Sequence, residues 1–175
     1  MSDASVLAPL IVTLAFDPDT AAWLHALRQA HFPPARNVVP AHVTLFHALP
    51  GAHEAEVAAH LGAVAAAQAP FDVSFPDLRF LGRGVALRVE SAPLAALRSV
   101  LARPFADVLT PQDAQGFRPH ATVQNKVAPE AARATLAHLH ATFTPRTGAA
   151  RGLDLWRYRG GPWEPVDTYA FGGQA

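Results

Sequence analysis

The chain has 175 residues, half of them apolar, and its 14 basic and 14 acidic side chains give a formal net charge of zero. That length suits one domain or two small lobes sharing a core, and the apolar share excludes a disordered tail. Zero net charge argues against a protein that grips a long duplex, because phosphate neutralisation supplies most of that affinity; contact at an end or a single linkage fits better. The lack of cysteine excludes disulfides, thiolate zinc sites and a cysteine nucleophile. MSDASVLAPLIVTLAF lacks the basic start of a signal peptide, and no stretch approaches the ~20 apolar residues of a membrane span. A cytoplasmic protein that does not engage the membrane is expected.

Leu10–Phe16 is a short apolar run that predicts a buried strand. Asp17 as N-cap and Pro18 at the first helical position then open a helix with Trp23, Leu24 and Leu27 on its inner stripe. The Pro-rich stretch from Phe32 to Pro40 cannot be helical, and His42–Phe46 predicts a strand. Val57, Leu61 and Val64 mark a second helix at i, i+4, i+7. FDVSFPDLRFL, Phe71 to Leu81, alternates like a strand, with Pro76 suggesting an edge or a bulge.

From Gly84 the same order starts again. Val85–Val89 predicts a strand, and Ser91 with Pro93 opens a helix carrying Leu94, Leu97, Leu101 and Val108. A Gln/Gly/Pro loop leads to the strand His120–Gln124, and a helix starts near Pro129 with Ala132, Leu136 and Leu139 inward. LDLWRYRGGPWEPVDTYAF predicts two strands joined at Gly160-Gly161-Pro162. The order and spacing imply one bilobal domain over 1–175, with pseudo-repeats at about 8–83 and 84–171. Short, separated strands fit an α+β fold rather than a doubly wound parallel sheet. The expected form is two mostly antiparallel sheets facing a central cleft, with helices outside.

A single His-x-Thr carries little information, but this chain has three: His42/Thr44, His120/Thr122 and His140/Thr142. In a strand, residues i and i+2 share a face and converge on one ligand; in a helix they lie roughly 200° apart. That sets aside His140/Thr142, which falls at the end of the last predicted helix. The other two begin strands at matching places, each after a Pro-containing loop. Cleaving a phosphodiester needs a base for the attacking oxygen and an acid for the leaving one, and imidazole serves either purpose near neutral pH. Thr hydroxyls can donate to the non-bridging oxygens. The likeness of the two halves leaves open which His is base and which acid.

His42-Val43-Thr44-Leu45 and His120-Ala121-Thr122-Val123 resemble the paired H-x-[ST]-hydrophobic signature of the 2H phosphoesterase superfamily, in the branch of 2′-5′ RNA ligase-like and RNA 2′,3′-cyclic phosphodiesterase proteins. The resemblance covers nearly the whole chain. It implies a bilobal α+β fold, no metal or other cofactor, and chemistry at cyclic or 2′-5′ phosphodiesters. The catalytic pair it implies is His42 and His120, with Thr44 and Thr122 on the phosphate and reverse 2′-5′ ligation as a further activity. Relatives often carry an Arg a few residues after the second motif. Here Gln124-Asn125-Lys126 stands there, so Arg118 or Lys126 is expected to clamp phosphate, Arg118 being the better bidentate donor; a solvated surface charge is the other reading of each.

Phe46 shares by alternation the face of His42 and Thr44, so it would stack a base or pack between the lobes. Trp156 and Tyr158, with Arg157 and Arg159, form an aromatic–basic cluster of the kind that stacks nucleobases, though core packing explains Trp156 as well. His47 alternates away from His42 and reads as rim or core. His25, His31, His53, His60, His138 and His140 lack partners at metal-ligand spacing. The expected partner is an RNA end or a small nucleotide, and the expected assembly a monomer. Two rivals remain: the same four residues acting on another small nucleotide diester such as ADP-ribose cyclic phosphate, and a module that binds a phosphorylated ligand without turnover.

Overall fold

Strand β1 (Leu10–Phe16) forms where the apolar run places it, with its first five residues buried. The protein is described by a computed structural model over residues 7–175; Met1–Val6, the start of the segment read above against a signal peptide, lie outside the described residues. Asp17 caps helix α1 (Pro18–His31) by backbone position, with Pro18 in the first turn. Its carboxylate accepts from the Thr20 hydroxyl and the Ala149 N–H instead of from a helix N–H, so it staples the helix start to a distant strand. The Pro-rich stretch that follows is not wholly irregular: Pro34–Arg36 forms one 3-10 turn.

Strand β2 (Thr44–Leu49), helix α2 (Glu54–Ala67) and strand β3 (Phe71–Phe75) come next. The predicted strand Phe71–Leu81 breaks at Pro76, and β4 (Leu78–Phe80) joins a different sheet from β3. After β5 (Val85–Arg88), helix α3 (Ala92–Ala102) starts at Ser91, whose side chain accepts from the Leu94 N–H. Val108 is not on that helix. A 3-10 segment with Pro104 in its first turn covers Arg103–Val108, and Val108 is exposed. The Gln/Gly/Pro loop contains a one-turn helix α4 (Pro111–Ala114), followed by β6 (His120–Gln124), α5 (Pro129–Thr142) and the long hairpin β7 (Arg146–Arg157) and β8 (Glu164–Ala170).

All strand pairs are antiparallel. One sheet runs β2-β1-β7-β3 with β8 on β7; the other runs β4-β5-β6. The sheets are not drawn from the two repeat-like segments separately. The β7–β8 hairpin of the second segment joins β1 and β3, and β4 of the first joins β5. β2 and β6 are each the last strand of a sheet, and they meet through one antiparallel bridge between Val43 and Ala121. The apolar side chains of both sheets and the inner faces of the helices form one buried cluster. No helix among the described residues is long and apolar enough to cross a membrane.

Two buried arginines brace that meeting of edges. Arg28 of α1, 3% exposed, donates to the Thr122 carbonyl of β6 and to Asn37. Arg98 of α3, 8% exposed, donates to the Leu45 carbonyl of β2 and the Asp113 carbonyl of α4. Each helix thus reaches the partner segment's His-x-Thr strand. Each guanidinium also stacks on a ring, Arg28 on Phe32 at 4.0 Å and Arg98 on Phe46 at 3.9 Å. Removing a buried cation leaves its carbonyl acceptors unpaired. Arg98→Ala is therefore expected to cost about 3 kcal/mol in urea unfolding, whereas the exposed Arg103→Ala stays within about 0.5 kcal/mol. An Arg98→Ala loss as small as the control's would remove the brace from the account.

Candidate functional site

The Val43–Ala121 bridge fixes the site by register. In an antiparallel pair with residue 43 opposite 121, position 42 faces 122 and 44 faces 120. Val43 and Ala121 are buried, so the four flanking side chains point the opposite way, onto one surface. His42 lies beside Thr122 and Thr44 beside His120, in cross-strand pairs whose Cβ atoms regularly stand about 4.5–5.5 Å apart. His42 precedes β2 rather than starting it, since regular pairing begins at Thr44.

Both imidazoles are aimed by the main chain in the same way. His42 Nδ1 is 2.8 Å from the Pro40 carbonyl, and His120 Nδ1 is 3.0 Å from the Arg118 carbonyl. A carbonyl only accepts, so each Nδ1 carries the hydrogen and donates it, leaving Nε2 as the nitrogen free to exchange a proton. The Arg79 guanidinium lies 3.4 Å from His120 Nδ1; with that hydrogen already given to Arg118, it acts there as a neighbouring cation and not as a donor.

The environments of the two rings differ. His42 packs on the Trp163 indole, centroids 4.5 Å apart, and burial drives its pKa down to about 4, with Arg28, His120 and His47 adding to the shift against the Pro40 carbonyl. Burial also lowers His120, helped by Arg79 and His47 and opposed by the Arg118 carbonyl. His42 is therefore the stronger candidate for a neutral proton acceptor, and His120 for a proton donor.

Two irregularities in the β1–β2 pairing rearrange what alternation predicts. Thr13 pairs with Thr44, but Val12 pairs with Phe46 and Leu10 with Leu49, so β2 carries extra residues against β1. Such bulges change which face later side chains take. Phe46, expected beside His42 and Thr44, is 1% exposed and sits in the core under Arg98. His47, expected to point away, instead lines a cavity of about 350 Å³ together with Thr44, His120, Arg79, Arg98 and Arg118. His42 and Thr122 do not line that cavity.

A second cavity of about 340 Å³ is lined by Arg28, Arg36, His47, Lys126, Tyr158 and Trp163. Arg118 and Lys126 thus fall on different cavities. Trp156 lines neither; its indole N–H donates to the Thr13 hydroxyl, and its ring packs 6.0 Å from Trp163. Trp163, which touches His42, escaped sequence reading because it follows the predicted Gly-Gly-Pro turn. Six of the fourteen basic residues line these two cavities, and among the described residues Asp113 is the only acidic one that does. Elsewhere Asp77, Glu90, Glu54 and Glu164 pair with Arg88, Arg157 and Arg159. The neutral chain therefore encloses a cationic cleft.

The fold has clear relatives. A Thermus thermophilus protein, TT0787, superposes with a TM-score of 0.70 at 16% identity, over 95% of this chain and 100% of that one. A structure described as a phosphoesterase gives 0.64 at 21%, over 95% and 99%. Escherichia coli LigT, solved with NADP+, gives 0.61 at 20%, over 94% and 98%. No curated protein matches the sequence significantly. The family model of the 2′-5′ RNA ligase superfamily matches residues 16–162, a span that takes in both His-x-Thr strands and stops just short of Trp163. With most of its length matched, the chain belongs to the 2′-5′ RNA ligase superfamily, within the 2H phosphoesterases, and its fold is the one seen in TT0787.

Proposed function

We propose that the protein is a metal-independent phosphodiesterase that opens the 2′,3′-cyclic phosphate of RNA ends or nucleotides. The observation that carries this reading is the bridge that turns His42, Thr44, His120 and Thr122 onto one surface. Neutral His42 takes a proton from water as its oxygen attacks phosphorus. The P–O bond to one ribose oxygen breaks, and protonated His120 gives its proton to that oxygen, leaving a phosphomonoester. Thr44 and Thr122 donate to the non-bridging oxygens, whose charge grows in the transition state. With the 5′-hydroxyl of a second ribose in place of water, the same opening forms a 2′-5′ linkage: its oxygen attacks phosphorus, the P–O3′ bond breaks, and the 3′ oxygen takes the proton. LigT has been solved with 3′-AMP, a nucleoside phosphomonoester of the kind such hydrolysis releases, which supports a nucleotide substrate.

Two outcomes are expected of assays on a nucleoside 2′,3′-cyclic phosphate in EDTA. His42→Ala and His120→Ala each lower kcat by roughly 10²–10⁴; full activity in both would end the proposal. The pH profile of kcat/KM reports the free protein. Its acid limb rises as His42 loses its proton near pH 4, and its alkaline limb falls as His120 loses its own below 6.5. The maximum therefore lies on the acid side of pH 6.5, and a profile still rising at pH 7 would reverse or remove the assignment of base and acid.

A further inference from the structure

The acid/base pair leaves a third imidazole of the cleft unused. The bulges in β2 bring His47 onto the side of Thr44, where its side chain is 41% exposed in the cavity that His120 also lines. Its orientation is built from behind. The Asp113 carboxylate, with a side chain only 1% exposed, accepts from the His47 backbone N–H at 2.9 and 3.0 Å, from the Ala48 N–H at 3.0 Å and from His47 Nδ1 at 2.9 Å. Burial would raise this carboxyl, but those bonds overcome it and hold the group ionised, so Nδ1 carries the hydrogen. His47 Nε2 is left as its free ring nitrogen. The two backbone N–H donors already tie α4 to β2, so packing does not require an imidazole at this exposed position.

The rest of the wall is cationic. Arg79 and Arg118 line the same cavity, and among the described residues neither forms an ion pair. The oxygens of Asp113, the only carboxylate there among the described residues, are engaged with His47 and Ala48. The cavity includes Thr44 and His120 but not His42 and Thr122, so it extends from the scissile phosphate towards α4. Resting on the reading of that phosphate given above, we propose that this end of the cleft is a second anion subsite. In it His47, Arg79 and Arg118 hold a further phosphoryl group of the same substrate, and Asp113 acts as a positioning residue through His47. The preferred substrate is then a cyclic phosphate with at least one more phosphate, either on its 5′ oxygen or as the adjoining internucleotide linkage.

Three substrates separate these sources: a nucleoside 2′,3′-cyclic phosphate, its 5′-phosphorylated form, and a dinucleotide ending in the cyclic phosphate. The wild type is expected to favour one of the latter two over the first by tenfold or more in kcat/KM. His47→Gln and Arg118→Met should each reduce that ratio at least fivefold, and Asp113→Asn should do the same in protein shown by thermal melting to be folded. A wild-type ratio near one, or variants that lose equally on all three substrates, would overturn the subsite. If the wild type turns over none of them, the diesterase reading falls, and calorimetry with inorganic phosphate decides the subsite alone. Two bound phosphates in the wild type and one in His47→Gln uphold it; a single phosphate in the wild type overturns it.

Discussion

The geometry of this protein depends on one backbone contact, the antiparallel bridge between Val43 and Ala121. It joins the last strands of two sheets, and both its side chains are buried, so the residues on either side of each must face outward. A slip of one residue in this pairing would exchange the faces, burying imidazoles and exposing valine and alanine. Register is therefore defended by the hydrophobic core itself. Arg28 and Arg98 add to that defence by crossing between the segments, each satisfying a carbonyl on the strand it did not come from.

Electrostatics divide along the same lines. The chain has equal numbers of acidic and basic groups, yet several carboxylates are consumed by arginines on the outer surface, while the cleft keeps its cations. A binding surface can thus be strongly positive without a net charge that draws the whole molecule to nucleic acid. Burial, with those cations adding to it, keeps the imidazoles of His42 and His120 below their ordinary range. An incoming phosphate works in the opposite direction, since a nearby negative charge favours imidazolium. Under the proposed function, proton affinity at the site is coupled to occupancy.

Local signals in the sequence located most elements. The apolar run Leu10–Phe16 is β1, Ser91 caps α3 by its side chain, and α5 begins at Pro129. The four His-x-Thr residues were also legible, because period-2 alternation over three residues survives almost any strand. What stayed hidden is non-local. Alternation carried from Thr44 to His47 fails because β2 bulges against β1, and nothing within HVTLFHALP marks an extra residue. That one feature moved Phe46 into the core and His47 into the cleft. The chain order also concealed that the C-terminal hairpin pairs with β1 rather than with β6, and that Arg28 and Arg98, placed on amphipathic helices, would turn inward.

The hydrogen-bond acceptors that aim the two imidazoles are peptide carbonyls, at Pro40 and Arg118. A carbonyl is present whatever side chain its residue carries. The side chain at 118 lines the cavity while its main chain holds the ring of His120. Under the proposed function, recognition and chemistry meet in one residue yet draw on different atoms of it. Descendants of this sequence can exchange the side chain at that position for a new ligand while the free ring nitrogen keeps its aim.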